Sequence, residues 1–169
     1  MNNVWRRYWL LPVLLAIIAL GGCNKRGGLQ IGDPVPSVVL NDFHGKSVTL
    51  PKDLAGKVML IHFWSLECDF CDKDVIIGLE PLYQKYKDRG FVPVSVNVGK
   101  INPGDQHLKR FEHLTYPLLV DERGLAAKKF GVIGLPTSFV IDGEGLLREK
   151  LTGEAGLDEY EKLFTAVLK

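Results

Sequence analysis

The stretch Lys57-Val-Met-Leu-Ile-His-Phe-Trp-Ser-Leu-Glu-Cys-Asp-Phe-Cys71 decides the fold. Its first half is an almost continuous apolar run from Val58 to Trp64, interrupted only by His62. A strand buried on both faces reads this way, and such strands lie at the centre of sheets covered by helices. The second half sets two cysteines two residues apart, just beyond that strand. A helix is expected from about Asp69 to Asp88, because Val75, Ile76, Leu79, Leu82, Tyr83 and Tyr86 recur near helical spacing. Pro81 falls inside this helix and is expected to kink it, and Arg89-Gly90 ends it. Cys68 then falls at the helix start and Cys71 one turn later, on the inner side. A helix N-terminus offers unpaired N–H groups and partial positive charge. Both favour the thiolate, which is the nucleophilic form of cysteine. Cys68 is therefore the candidate nucleophile and Cys71 the resolving thiol. The expected cycle is attack on a partner disulfide, a mixed disulfide, and release by Cys71.

Two cysteines at this spacing have other uses. Half of a zinc site would need a second pair of ligands. The chain has three cysteines in all, and His107 and His113 do not share a helix face. A purely structural disulfide would close a short loop that constrains the unfolded chain little. No metal and no soluble cofactor is expected; the redox group is the dithiol itself.

Working outward, Asp33-Pro34-Val35-Pro36 enters the domain extended, because proline restricts itself and its predecessor. Ser37 to Leu40 and Ser47 to Leu50 are short strands joined through His44-Gly45 into a small hairpin. Phe91 to Val98 is a further strand. Asn102-Pro103 has the form of a cap followed by proline at the first helical position, with a helix to about Leu114. Pro117 to Val120 is a short extended stretch and Leu125 to Phe130 a short helix. Thr137 to Ile141 and Leu146 to Leu151 form an antiparallel hairpin across Asp142-Gly-Glu-Gly145, and Asp158 to Leu168 closes the chain as an amphipathic helix. The order implies an α/β domain with a central mixed sheet flanked by helices.

The chain has 169 residues, 46% hydrophobic and 24% charged, which suits one compact domain. Its formal net charge is +1 and its basic residues are scattered, so no nucleic-acid partner is expected. Residues 1–22 stand apart: Arg6 and Arg7, an apolar run from Leu10 to Leu20, then Gly21-Gly22-Cys23. That is the charged, apolar, small-residue order of an export signal. The run is shorter than the roughly 20 residues of a spanning helix. An uncleaved anchor remains an alternative, since Val4, Trp5, Tyr8 and Trp9 extend the apolar stretch. Leu20-Gly-Gly-Cys23 resembles a bacterial lipoprotein processing box, which implies cleavage before Cys23 and lipid on that residue; an ordinary exported protein is the alternative. Residues 23–32 then read as a polar, Gly-rich linker and residues 33–169 as the domain. Lipidation of Cys23 would leave Cys68 and Cys71 as a pair, as an oxidising compartment favours.

From about Gly32 to Lys169 the chain resembles the thioredoxin superfamily, specifically the membrane-tethered, extracytoplasmic thiol-disulfide reductases of the TlpA/ResA type. Gly32-Asp-Pro-Val-Pro36 and Asn41-Asp-Phe-His-Gly-Lys46 are similar to that family's leading segment and N-terminal hairpin extension, and Leu60-Ile-His-Phe-Trp64 to the strand before the redox motif. Gly134-Leu-Pro-Thr137 resembles the loop whose cis-proline faces the disulfide, followed by strand and turn at Phe139-Val-Ile-Asp-Gly143. The resemblance implies substrate docking along Leu135, Pro136 and Thr137, with Trp64 packed beside the dithiol. Asp74 matches an acid that the ResA-like subgroup keeps near its dithiol. His62 stands where many thioredoxins keep a buried Asp, which suits either a proton relay or a satisfied core histidine. The implied partners are disulfide-containing proteins, such as oxidised haem-attachment cysteines of apocytochrome c, and a membrane thiol-electron donor.

The chain departs from the family pattern at Glu67 and at Phe70, where proline is common. Glu67, Asp69, Asp72 and Asp74 surround the dithiol. Their charge disfavours a thiolate and argues for a reductant, or they merely complement the helix dipole. Two other functions on this fold remain open. A thiol peroxidase would need a Pro-x-x-x-Thr-x-x-Cys pattern, which is missing although Ser65 precedes Cys68 by three. A copper-binding assembly chaperone would need a three-residue cysteine spacing and a downstream His.

Overall fold

The computed structural model describes residues 28–102 and 104–168. Residues 1–27, with the expected signal peptide, Cys23 and the first half of the linker, lie outside the described residues, as does Pro103. Seven strands form one mixed sheet: β1 (Val38–Asp42), β2 (Ser47–Leu50), β3 (Val58–Trp64), β4 (Phe91–Val98), β5 (Leu118–Asp121), β6 (Thr137–Ile141) and β7 (Leu147–Thr152). Their order is β2-β1-β5-β4-β3-β6-β7. β3, β4 and β5 run parallel, and the remaining pairings are antiparallel. Among the described residues, three α-helices complete the fold: α1 (Lys73–Tyr86), α2 (Leu125–Phe130) and α3 (Leu157–Thr165). Among the described residues, no helix is long and apolar enough to cross a membrane.

All seven residues of β3 are buried, and the strand divides two cores. Met59, Ile61 and Phe63 pack on one face with Val94, Val96, Phe130 and Phe139. Val58, Leu60 and Trp64 pack on the other with Ile76 and Leu79 of α1 and with Tyr160 and Phe164 of α3. The period-two alternation of a strand thus serves two helical layers at once. The N-terminal hairpin is part of this sheet. Asn41 and Asp42 pair with Val120 and Leu119, while Val38, Leu40 and Leu50 are buried in the first core. Its turn is built by Asp42, whose Oδ1 accepts the N–H groups of His44 and Lys46. Leu29 packs against the same core, and the Gly32 N–H donates to the Leu147 carbonyl, so contacts with the domain begin ahead of Asp33.

Three expectations are corrected. The main helix begins at Lys73, not near Asp69. Asp72 adopts extended backbone (φ −70°, ψ 104°) and its side chain accepts the Asp74 N–H at 2.8 Å. Aspartate is a favoured N-cap, and Asp72 fills that position three residues after Asp69. Pro81 lies inside α1 without ending it. The helix expected from Asn102 to Leu114 is a 3-10 segment, Gln106–Phe111, capped by Asp105. The C-terminal helix spans Leu157–Thr165, shorter than the expected Asp158 to Leu168.

Candidate active site

The redox segment leaves β3 at its carboxyl end and folds through two turns before α1 starts. Leu66 N–H donates to Asn97 Oδ1 at 2.9 Å, which ties the first turn to the end of β4. Glu67 N–H reaches Ser65 Oγ at 3.2 Å, and Cys68 N–H reaches the Ser65 carbonyl at 3.2 Å. Cys68 and Cys71 are joined by a disulfide with Cα atoms 5.4 Å apart. Cys71 is buried at 4% exposure and Cys68 is half-buried. That asymmetry suits an accessible nucleophile and a sheltered resolving thiol.

Both cysteines precede the helix, so dipole support for Cys68 is weaker than its expected place in the first turn implied. The nearby polar groups are already committed. Lys73 Nζ donates to the Cys68 carbonyl at 2.6 Å. Asp74 is highly exposed and pairs with Arg110 from the 3-10 segment. Asp72 N–H donates to Glu154 Oε1 at 2.7 Å, a contact spanning 82 residues of sequence.

The docking candidates lie in the loop between α2 and β6. The Leu135–Pro136 peptide bond is cis. Thr137 Oγ1 donates to the Gly134 carbonyl at 2.7 Å, and the Pro136 carbonyl accepts from Gly153. Sheet pairing of β6 starts only at Thr137. Leu135 N–H and C=O therefore have no hydrogen-bond partner among the described residues. Leu135 is half-buried and packs on the same apolar cluster as Cys68 and Cys71, whereas Pro136 and Thr137 are buried.

Trp64 is fully buried and stacks edge-on against Phe111, so it supports the dithiol segment from beneath. Its Nε1 is the one buried side-chain nitrogen or oxygen without a partner among the described residues. His62 is 1% exposed. Its Nδ1 lies 2.8 Å from Ser138 Oγ and 3.4 Å from the Tyr160 hydroxyl. Burial lowers its pKa from 6.5 to about 4, so the ring is neutral at neutral pH. His62 shares a face of β3 with Trp64, behind the cluster that contains Cys71.

Sequence reading overlooked Glu154, Asn97, Arg110 and Ile133. The first three reach the site only through the fold. Ile133 is 98% exposed just ahead of the cis-proline, as Phe70 is 85% exposed between the cysteines. An apolar residue near two glycines carries no signal that it faces solvent.

Comparison with known proteins agrees with this geometry. The family model described as AhpC/TSA matches residues 31–150. A thiol-disulfide oxidoreductase ResA from Bacillus thuringiensis is 32% identical over 97% of this chain and 98% of its own length. The thioredoxin-like protein YneN of Bacillus subtilis is 28% identical, over 91% of this chain and 95% of its own. A crystal structure of a candidate thiol:disulfide interchange protein DsbE from Chlorobium tepidum superposes with TM-score 0.72 at 30% identity. It covers 83% of this chain and 99% of that one. The relatives and the solved structure are named as thiol-disulfide oxidoreductase, thioredoxin-like protein and thiol:disulfide interchange protein, not as peroxidase or copper chaperone. With a buried–accessible cysteine pair on a thioredoxin-like sheet and ResA relatives along its whole length, the chain belongs to the AhpC/TSA family and, within it, to the thiol-disulfide oxidoreductases.

Proposed function

We propose that this enzyme is an extracytoplasmic reductant of protein disulfides, held to a membrane by lipid on Cys23. The observation that carries the reading is the Cys68–Cys71 disulfide, with Cys68 accessible and Cys71 buried, packed on one apolar cluster with Leu135. The unpaired Leu135 backbone offers one donor and one acceptor to an extended partner strand. Pro136 and Thr137 hold that edge in place, Trp64 backs the dithiol, and Phe70 and Ile133 give the partner apolar contact.

The reduced enzyme acts in two steps. The Cys68 thiolate attacks one sulfur of the partner disulfide; a mixed disulfide forms and the other partner sulfur leaves as a thiolate that takes a proton. The Cys71 thiolate then attacks the Cys68 sulfur, forming the Cys68–Cys71 disulfide and releasing the second partner sulfur. Two electrons pass to the partner, and a membrane thiol donor restores the dithiol. Asp74, open to water, exchanges the proton of Cys71. His62, sealed between Ser138 and Tyr160, serves the core. Glu67, Asp69, Asp72 and Asp74 raise the cost of a thiolate and favour the reducing direction. The likeness to ResA-type proteins points to haem-attachment cysteines of apocytochrome c as the substrate disulfide.

Trapping tests this reading. Cys71→Ser should accumulate a mixed disulfide at Cys68 with a protein partner, and Cys68→Ser should accumulate none. Failure of Cys71→Ser to capture any partner under oxidising conditions would remove the reading's support.

A further inference from the structure

We propose that Glu154 is a positioning residue that sets the dithiol toward reduction, by occupying the amide group next to Cys71 that a cysteine thiolate would otherwise use. The proposal deepens the reductant reading and rests on it. Glu154 lies in the connection between β7 and α3, far from the cysteines in sequence. Its Oε1 accepts the Asp72 N–H at 2.7 Å. Asp72 in turn takes the Asp74 N–H at 2.8 Å, and the Cys71 N–H is directed at the Cys68 carbonyl at 3.4 Å. Three donors around the start of the redox helix, those of Cys71, Asp72 and Asp74, are thus engaged, the last two by carboxylates.

Unpaired N–H groups at this position would stabilise a thiolate by hydrogen bonding and by the helix dipole. A carboxylate held there does the opposite: it removes a donor and adds a like charge. The other charged groups around the dithiol offset it only in part, because the acids outnumber the cations. Glu67 and Asp69 in the redox segment, Asp72 at the cap of α1 and Asp74 in its first turn are acidic. Lys73 is bound to the Cys68 carbonyl and Arg110 of the 3-10 segment to Asp74. Behind the cysteines, His62 is neutral and the Tyr160 hydroxyl is kept protonated by burial. Glu154 differs from these four acids in being fixed by a direct bond to the amide that follows Cys71.

The test compares full-length wild type with Glu154→Gln, which keeps an oxygen acceptor but loses the charge, and Glu154→Ala, which loses both. The pH profile of iodoacetamide labelling at Cys68 is read by peptide mapping, together with the exchange constant against glutathione. For Glu154→Ala the Cys68 pKa should fall by about one unit. Labelling well below that pKa should rise about threefold, because a tenfold gain in thiolate is partly offset by lower nucleophilicity. The exchange constant should move about tenfold toward the dithiol, equivalent to about 30 mV. Glu154→Gln should fall between. The proposal is overturned if the Cys68 pKa rises, or if both variants leave pKa and exchange constant within twofold of wild type. Lost thermal stability with an unchanged pH profile would also overturn it, since that is what a purely structural cap gives. Trapping by Cys71→Ser is independent of this outcome, so the two readings fail separately.

Discussion

His62 lies in a polar row that crosses the centre of the sheet. It is in register with Ser95 on β4 and Ser138 on β6, and residues in register share a face. Ser95 is bonded to the Tyr116 hydroxyl at 3.1 Å, which itself donates to the Ile76 carbonyl at 2.6 Å. Ser138 is bonded to Tyr160 at 2.9 Å. Burial of polar groups is tolerated here because each finds a partner. The depressed His62 pKa makes stability depend on pH. Between about 6.5 and about 4 the unfolded chain binds a proton at this residue that the folded protein does not. Stability is therefore greatest above that window and falls as pH drops through it, by a few kcal/mol in all. Urea unfolding across this range should show the slope in wild type and a flatter dependence in His62→Asn. An equal slope in both would mean that His62 does not titrate as described. The position of His62 behind the dithiol was legible from its place in the apolar run. Its partners were not, because Ser138 and Tyr160 lie 76 and 98 residues further along the chain.

Among the elements, α1 follows the redox segment directly and packs closely on the start of α3. Gly78 lies in its interior, where glycine normally costs about 1 kcal/mol relative to alanine. A Cβ at Gly78 would overlap Leu157 Cδ1 at the start of α3. Gly78→Ala therefore gains helix propensity but overpacks this contact, which costs about 1–3 kcal/mol. A net loss of about 1 kcal/mol is expected in denaturant unfolding. A gain of about 1 kcal/mol would show that Leu157 moves aside freely. β3 was readable because seven buried residues leave an apolar signature stronger than any local competitor. The start of α1 was not, because Asp69 and Asp72 are both capping residue types and the tertiary bond from Asp72 N–H to Glu154 favours the later one. The 3-10 segment was misread for a similar reason, since Asn102 and Asp105 are competing caps and Asp105 starts the segment.

For the whole molecule, the mixed sheet brings the redox segment to the carboxyl ends of the parallel strands β3 and β4, where open α/β sheets place their sites. The α/β class and the mixed sheet followed from the order of elements. The place of the N-terminal hairpin did not. Pairing of β1 with β5 joins segments with no local signal for each other, and it makes the hairpin an integral part of the sheet. The cis bond before Pro136 was expected from the family resemblance; the one before Pro51 had no counterpart in the reading. At this scale the dithiol's surroundings decide the direction of electron flow. Carboxylates outnumber cations around the redox segment, with Lys73 on the Cys68 carbonyl and Arg110 paired to Asp74, and the helix starts after Cys71. The most direct measurement is the reduction potential of the Cys68–Cys71 couple in the full-length protein, equilibrated in glutathione buffers of defined ratio. The account predicts a value at or below about −240 mV, towards the roughly −270 mV of thioredoxin; a value above about −180 mV, towards the strong oxidants near −120 mV, would contradict it.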